Sequence, residues 1–541
     1  MYINNIHYNY HTISLKECQN VEEFASIDKP FIFAYTRIIM LSDYQRYRVY
    51  EMLPGLTIWG TLVLSLVLSF VKPLWMIYFV ILFDIYWVLK VTNFSFYLIV
   101  AWSRFAHARR TDWKDKLFHE VPDWQTKHHV VFLTLYNEEW NVVQSAIQSI
   151  CSAAYESTQF TIVVAGEERK KEHYEDILQK VQDTFHDCFS DIVGTCHPMD
   201  LSGEIPGKGS NLHYAERQMK QYIDTKGWSY DDVIATMFDI DTVCHELYFS
   251  YLTYLYSTHP HPTRSSYQPI AVYDNNMWDS PAMLRIMAFG TTFWTLTSLA
   301  RQDALVTFSS HSMSFRAIVD AGFHEKRIVS EDSRIFYQCL IVYNGNYEVT
   351  PMYIPVSMDT VRDDSWWQSI KNLYAQQRRW AWGVEHVPYL LFEFGKKGKQ
   401  IPLWKKFKWV FIEWEGKWSW CIVALLISVL GRLPLWVAPE SVRQSALFFN
   451  APYLLQTLMT IAMLGMVLSA ILSFPLLPPR PDSQPRHMYI IMFFQWLLLP
   501  ISLIFLSAIP AIDAVTHLMF GKYLGFNVSQ KKRKTAVSSK G

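Results

Sequence analysis

No surplus of either charge marks this chain: 49 Lys and Arg balance 49 Asp and Glu, and charged residues make up only 18% of the sequence. That removes any global electrostatic ground for nucleic-acid binding, so an anion site has to be local. Cysteine is scarce and unpatterned. The seven cysteines include no Cys-x-x-Cys pair and are scattered through polar and apolar stretches alike, which argues against a disulfide framework or structural zinc and for a reducing compartment around the soluble part. The first 41 residues lack a basic stretch followed by an apolar core, and the run Phe31 to Leu41 is too short to span a bilayer, so no cleavable signal peptide is expected. Internal repeats and long low-complexity stretches are missing too. What abounds is apolar side chain: half of the 541 residues are hydrophobic, too many for an ordinary soluble chain of this length.

The apolar residues are concentrated. Met52 to Val71 is an uncharged run that reaches about 30 Å as a helix, one hydrocarbon thickness. Pro73 to Trp102 is interrupted only by Asp84 and Lys90 and is followed by Arg104, Arg109, Arg110, Lys114 and Lys116. Two spans with a short turn return the chain to its starting side, and the basic residues mark that side as cytoplasmic. Asp84 falls near mid-span, where an ionisable group faces a polar path or pairs with another span. Further apolar runs cover Trp418 to Pro439, Pro452 to Phe474 and Met488 to Ile512. A basic tail at Lys531, Lys532, Arg533 and Lys534 calls for an even number of crossings; Pro500, Pro510 and Asp513 then mark a broken or re-entrant segment. The resulting division is an N-terminal cytoplasmic segment (1–50), spans (51–103), a soluble domain (125–395), an interfacial segment (396–415), further spans (416–525) and a basic tail (526–541).

In the soluble part, Val130 to Leu135, Phe160 to Val164 and Val233 to Phe238 are short apolar runs ending at polar corners, the pattern of buried strands. Trp140, Val143, Ile147 and Ile150 recur at helical spacing, and Glu168 to Phe185 is a charged surface-type helix. Alternating strand and helix predicts an α/β layer with a mainly parallel sheet, whose ligands gather at the carboxyl ends of the strands.

Five motifs in that domain carry chemistry. Tyr136-Asn137-Glu138 stands where a strand meets a helix, and Asn137 is placed to cap that helix. Gly207-Lys208-Gly209-Ser210-Asn211 opens a helix, with backbone N–H groups and a Lys suited to a phosphate but without Walker A spacing. Asp239-Ile240-Asp241 ends an apolar strand; residues two apart on extended chain point the same way, so both carboxylates are placed to face one divalent cation on a diphosphate, with a loop Asp pair capping a helix as the plainer alternative. Ser330-Glu331-Asp332 begins a helix, which Ser330 as N-cap explains equally well. Gln376, Arg379 and Trp380 share a helix face, where a snorkelling Arg and an interfacial Trp are the plainer alternative.

Taken in order, the five resemble the membrane-bound family-2 glycosyltransferases, the synthases of cellulose, hyaluronan and related glycans. The resemblance covers about His128 to Val387 plus the flanking spans. It implies a GT-A fold, a Rossmann-like and mainly parallel cytoplasmic domain with α-helical transmembrane spans on both sides. It further implies that Tyr136, Asn137, Glu138, Lys208, Asn211 and Asp239 hold the nucleotide sugar and that Asp239 and Asp241 hold Mg or Mn. Asp332, beside Glu331, would be the catalytic base, and Gln376, Arg379 and Trp380 would hold the diphosphate and the acceptor end. Two departures stand out: Thr134 replaces the usual Pro, and Glu167 stands in for the Asp that reads the base. The expected function is inverting transfer from a UDP-sugar to a growing polysaccharide, processive, at the plasma membrane, with glycan and membrane lipids as partners. Single transfer to a lipid acceptor and a non-catalytic nucleotide-sugar scaffold are the rival readings.

Overall fold

The computed structural model describes residues 42–525; the expectations for residues 1–41 and for the basic tail lie outside them. Eight strands, β1 (His128–Thr134), β2 (Phe160–Glu167), β3 (Asp191–His197), β4 (Val233–Asp239), β5 (Val243–Cys244), β6 (Ser265–Val272), β7 (His311–Ser314) and β8 (Glu348–Ser357), form one sheet in the order β3-β2-β1-β4-β7-β6-β8-β5. Strands β2 and β6 are buried along their whole length, which requires cover on both faces; it suits the apolar run of β2, while in β6 the buried Ser265, Ser266 and Gln268 bond Thr350, Tyr347 and the Phe308 N–H. Pairing is parallel for β1 with β2, β1 with β4, β2 with β3 and β6 with β8. It is antiparallel for β4 with β7, β6 with β7 and β5 with β8. The α/β class and mainly parallel order therefore stand. Strand β7 escapes a sequence reading because its residues, His-Ser-Met-Ser, look like a polar loop; Ser312 is satisfied inside the sheet by Thr236 and Tyr248.

Helix Trp140–Cys151 buries Val143, Ile147 and Ile150 as its spacing predicts. Helix Lys171–Phe185 buries Tyr174, Ile177, Val181 and Phe185 and leaves its charges in water. Asn137 does not cap the first of these: Glu139 occupies the N-cap with no side-chain bond. The cysteine reading needs a second correction, because Cys151 and Cys188 form a disulfide with Cα atoms 5.6 Å apart. These cysteines lie 37 residues apart and meet only because the chain doubles back after helix Lys171–Phe185, so no local spacing announces them.

Among the described residues, five helices are long and apolar enough to cross a membrane: Asp43–Val71, Pro73–Arg110, Leu403–Val437, Ala446–Leu476 and Met488–Met519. The first two match the predicted pair and extend beyond it at the domain side. The third begins at Leu403, so the expected interfacial segment 396–415 is in large part its first turns. Asp84 is buried, with Oδ1 lacking a partner and Arg432 of the third helix as the opposite charge acting on it.

The fifth helix behaves differently. Near its start, Trp278 of the soluble domain donates to Pro478 O at 3.1 Å and packs on Tyr489, and Arg285 donates to Gln495 at 2.8 Å. At its end, Tyr374 donates to Asp513 and Arg48 donates to Met519 O. Arg48 lies at the domain end of the first helix, where Tyr47 packs on Phe392. Both ends therefore touch the soluble domain. A 3-10 turn at Gln495–Leu498, Pro500, a π turn at Ile504–Ala508 and Pro510 break the helix between them, as prolines and bulges do. With Met488–Met519 taken as re-entrant, four crossings would remain, the even number that the sequence reading expects. Cysteines introduced at Gln484 and Lys522 should accordingly react with a membrane-impermeant thiol reagent from the same side; reaction from opposite sides would make Met488–Met519 a true span.

Candidate active site

Register sets out the site. Thr134 at the end of β1 pairs with Ala165 of β2 and with Asp239, the last residue of β4. The ends of β1, β2 and β4 thus share one edge. Strand order reverses between β1 and β4, the crevice where ligands bind in open α/β sheets. Strands β6 and β8 run with β4, bringing Tyr273 and Asp359 to that edge, and the reversed β7 brings its preceding residues, Ser309 and Ser310, to the same place.

On the β1–β2 side, the Glu138 carboxylate accepts the backbone N–H groups of Tyr136 (2.8 Å) and Asn137 (3.0 Å), so it shapes its own loop. Glu167, buried at the end of β2, is held by Arg169, whose guanidinium also lies 5.0 Å from the Tyr136 ring centre. Tyr136, Glu167 and Arg169 therefore form one wall. Asn211 is buried and donates to Ala165 O at 2.8 Å, tying its helix to β2, and its Oδ1 has no partner.

The centre is charged. Helix Lys208–Lys226 starts after Gly207, whose φ of 155° suits glycine. Its N–H donates to Ser210 Oγ at 3.2 Å and so faces inward. A Cβ on Gly209 would stand 2.9 Å from Glu325 O and 3.2 Å from Glu331 Cβ; glycine lets this helix start approach the Glu331 loop. Lys208 Nζ donates to Asp239 Oδ1 at 2.6 Å and lies 3.7 Å from Glu331. Burial pulls the Lys208 pKa down, but Asp239, Glu331 and Asp332 together outweigh it and the net shift is upward, so the ammonium persists. The other Asp239 oxygen accepts from Ser309 Oγ. Asp241 is fully buried, its Oδ2 accepting the Asp359 N–H at 2.8 Å. Ser310, next to Ser309, has φ of 61°, a conformation a non-glycine residue holds only when its surroundings impose it; here its Oγ bonds Thr242 at 2.8 Å.

Helix Glu331–Val342 carries the third part. Ser330 stands at its N-cap without capping it: the hydroxyl donates to Glu385 Oε1 at 2.6 Å, and Glu385 also accepts from Trp382 Nε1 at 2.9 Å. The loop before Asp332 is thereby stitched to the turn that follows helix Trp366–Ala381. Asp332 is half-buried, and its Oδ1 accepts only the neighbouring Ser333 N–H in the described structure. Glu331 is buried with Oε2 unpartnered; burial pushes its carboxyl up to about 7, Lys208 pulling against this and Asp332 adding to it. A carboxyl raised above its usual 4.5 keeps its proton in the folded chain where the unfolded chain has lost it. That contribution to stability is complete below about pH 4.5 and is lost as pH rises towards about 7. Glu331→Gln should flatten the fall in melting temperature across this window, and an unchanged slope in pH-resolved melting curves would contradict the assignment.

Gln376, Arg379 and Trp380 lie on helix Trp366–Ala381; Gln376 is buried and the other two half-buried. Trp380 packs 6.1 Å from Tyr273, and a small cleft there is lined by Tyr273, Gln376 and Trp380. Tyr273, absent from the sequence reading, is a focal point: burial raises its pKa furthest, Asp239, Asp241 and Asp332 add to this, and Arg379 opposes them. Ser309, Tyr273 and Glu385 were missed because each is defined by a partner distant in sequence, and Arg169, whose acceptor Glu167 is only two residues away, because its place beside the Tyr136 ring appears only in the fold; only the strand-end position of Tyr273 could have pointed to it.

Among the described residues no group of three or more His, Cys, Asp and Glu could hold a metal by itself. Asp239 and Asp241 supply an all-oxygen pair suited to Mg or Mn, with Lys208 and Ser309 already on Asp239. The pair fits a cation shared with a ligand's oxygens and not a cation held by protein alone.

No protein-family model matches the chain, and no curated protein matches it in sequence. Among solved structures, a mannosyltransferase from Pyrobaculum calidifontis, in complex with GDP-Man and Mn2+, is 14% identical, with 75% of this chain and 99% of that one covered at a TM-score of 0.38. S. aureus TarS 1-349 in complex with UDP-GlcNAc is 10% identical, with 66% and 98% covered at a TM-score of 0.30. At these scores the fold and the site are read from the chain itself.

Proposed function

We propose that this protein is an inverting, metal-assisted glycosyltransferase of the GT-A, family-2 type, embedded in the plasma membrane with its catalytic domain cytoplasmic. It would move sugar from a UDP-sugar to a growing glycan, processively. The observation that carries this reading is the charged cluster at the ligand-binding edge of the sheet, where Lys208 donates to Asp239 at 2.6 Å and lies 3.7 Å from Glu331, next in the chain to Asp332, while Trp380 packs on Tyr273 at the same edge. Lys208 ties two other separated motifs together through Asp239 and Glu331, an arrangement a capped helix does not require. A purely nucleotide-binding scaffold would have no use for the half-buried, lightly bonded Asp332.

Tyr136, with Glu167 and Arg169 behind it, forms the wall for the nucleoside, and Asn211 fixes the distance between that wall and Lys208. Asp332 takes the proton of the acceptor hydroxyl as that oxygen attacks the anomeric carbon from the face opposite the diphosphate. A single displacement with one base and no carboxylate nucleophile inverts configuration. Lys208 and Arg379 meet the charge that grows on the departing diphosphate, while Trp380 and Tyr273 give the acceptor sugar an aromatic floor. Asp239 and Asp241 would hold Mg or Mn, which would supply Lewis-acid neutralisation of the same charge.

The test is incubation of the purified full chain with a panel of UDP- and GDP-sugars and Mg or Mn, followed by sizing of the product. Long glycan supports processive synthesis. A single sugar on lipid moves the reading to single transfer, and no transfer from any donor refutes it.

A further inference from the structure

Helix Trp366–Ala381 presents two opposed faces. At about 100° per residue, Tyr374 and Arg378 lie roughly 40° apart, while Arg379, Gln376 and Trp380 fall roughly 140° to 240° around from Tyr374. The second face looks to the pocket; the first is gripped by a residue far away in sequence. Asp513 Oδ2 accepts from the Tyr374 hydroxyl at 3.1 Å and lies 3.0 Å from Arg378 Nε. His517 Nδ1, one helical turn on, lies 2.8 Å from Asp513 Oδ1. Lys417, on helix Leu403–Leu425, reaches the other end of the same helix, with Nζ 3.5 Å from Trp380 O. Leu506, just before Asp513, packs with Leu373 and Leu284 in one buried cluster. An acidic residue in an otherwise apolar segment is costly to keep unless it does something there.

We infer that Asp513, on the re-entrant segment, is a positioning residue that holds Arg379 and Trp380 against the donor diphosphate and acceptor by clamping the back of their helix through Arg378 and Tyr374. The inference rests on the proposed function for what Arg379 and Trp380 contact, but not for the clamp itself. Removing the charge at position 513 lets the helix roll, and Arg379 feels this most because it follows Arg378 directly in the chain.

The experiment uses the full-length chain in lipid nanodiscs, comparing wild type, Asp513→Asn, Arg379→Ala, the double variant, and a swapped pair carrying Arg378→Asp with Asp513→Arg. UDP and GDP, each with Mn, and the corresponding monophosphates are titrated, and backbone amide exchange is followed over residues 366–381. Asp513→Asn should weaken diphosphate binding about five- to tenfold, leave monophosphate binding within about twofold, and speed amide exchange near Arg378. Losses that act through one group do not add, so Asp513→Asn should cost nothing further in the Arg379→Ala background. The swapped pair should recover most of the loss. Equal losses in both backgrounds, or unchanged amide exchange, would overturn the inference. If wild type binds neither UDP nor GDP, the proposed function falls, and amide exchange alone decides the clamp: faster in Asp513→Asn upholds it, unchanged refutes it.

Discussion

Replacing Asp332 by Asn should lower sugar transfer by at least about a hundredfold, the usual worth of a positioned base, while leaving the affinity for donor nearly intact. Asn keeps the shape of Asp and can still accept the Ser333 N–H that Oδ1 now accepts at 2.9 Å. It cannot take a proton at neutral pH. If Asp332 served only the helix start, the same change would remove a charge from the first turn, a loss of about 0.3 to 1 kcal/mol, and turnover would survive. Turnover and donor affinity measured on one preparation separate these cases. Near-normal turnover rules out the base role. Loss of binding together with turnover would instead assign Asp332 to holding the pocket together. Glu331 cannot take over, because it is buried, with its carboxyl 3.7 Å from Lys208 Nζ and its Cβ against the Gly209 turn.

The second large effect concerns Asp241. Asp241→Asn should abolish the gain in nucleoside-diphosphate affinity that Mn brings, with binding in the absence of Mn barely altered. Asn is the informative substitution, since its side-chain oxygen can still accept the Asp359 N–H that Asp241 accepts at 2.8 Å in a fully buried setting. Alanine would leave that donor unpaired, and an orphaned buried group costs about 1 to 3 kcal/mol, confusing stability with binding. The two-carboxylate donor set adds a further expectation: Mn should bind weakly to the nucleotide-free chain and tightly only once a diphosphate supplies the remaining oxygens. Calorimetric titration of UDP and GDP with and without Mn measures both. Full Mn dependence retained in Asp241→Asn would remove Asp241 from the cation's ligands.

Much of the architecture was legible because it depends on local patterns. Strands β1, β2 and β4 are continuous apolar runs ending in polar corners, and their positions followed directly. The first two spans were visible as uninterrupted apolar length. Antiparallel β7 was not, since its serines are polar by composition and satisfied only by Thr236 and Tyr248 across the sheet. The disulfide was hidden for the same reason: Cys151 and Cys188 are neighbours in space alone. At the site, the motif residues were readable as donors and acceptors, but their bonds were not. Asn137 looked like a cap and caps nothing, and Ser330 looked like a cap and serves Glu385. Tyr273 carries no motif; its importance comes from standing where the ends of β4 and β6 and helix Trp366–Ala381 meet.

The segment Met488–Met519 has a practical consequence for handling the protein. Its outward side chains include Ile490, Phe493, Phe494, Leu497, Ile501 and Phe505, all exposed in the isolated chain, while its other side backs the soluble domain through Gln495 and Asp513. Such a greasy exterior needs hydrocarbon over it. Trp496 of this segment joins the buried core of the sheet domain, but most of that core comes from the strands and their covering helices; extraction into small, short-chain detergents should therefore loosen this strip of protein from its seat and abolish sugar transfer while the eight-stranded sheet remains folded, and returning the protein to a lipid film should restore transfer without any refolding of the sheet.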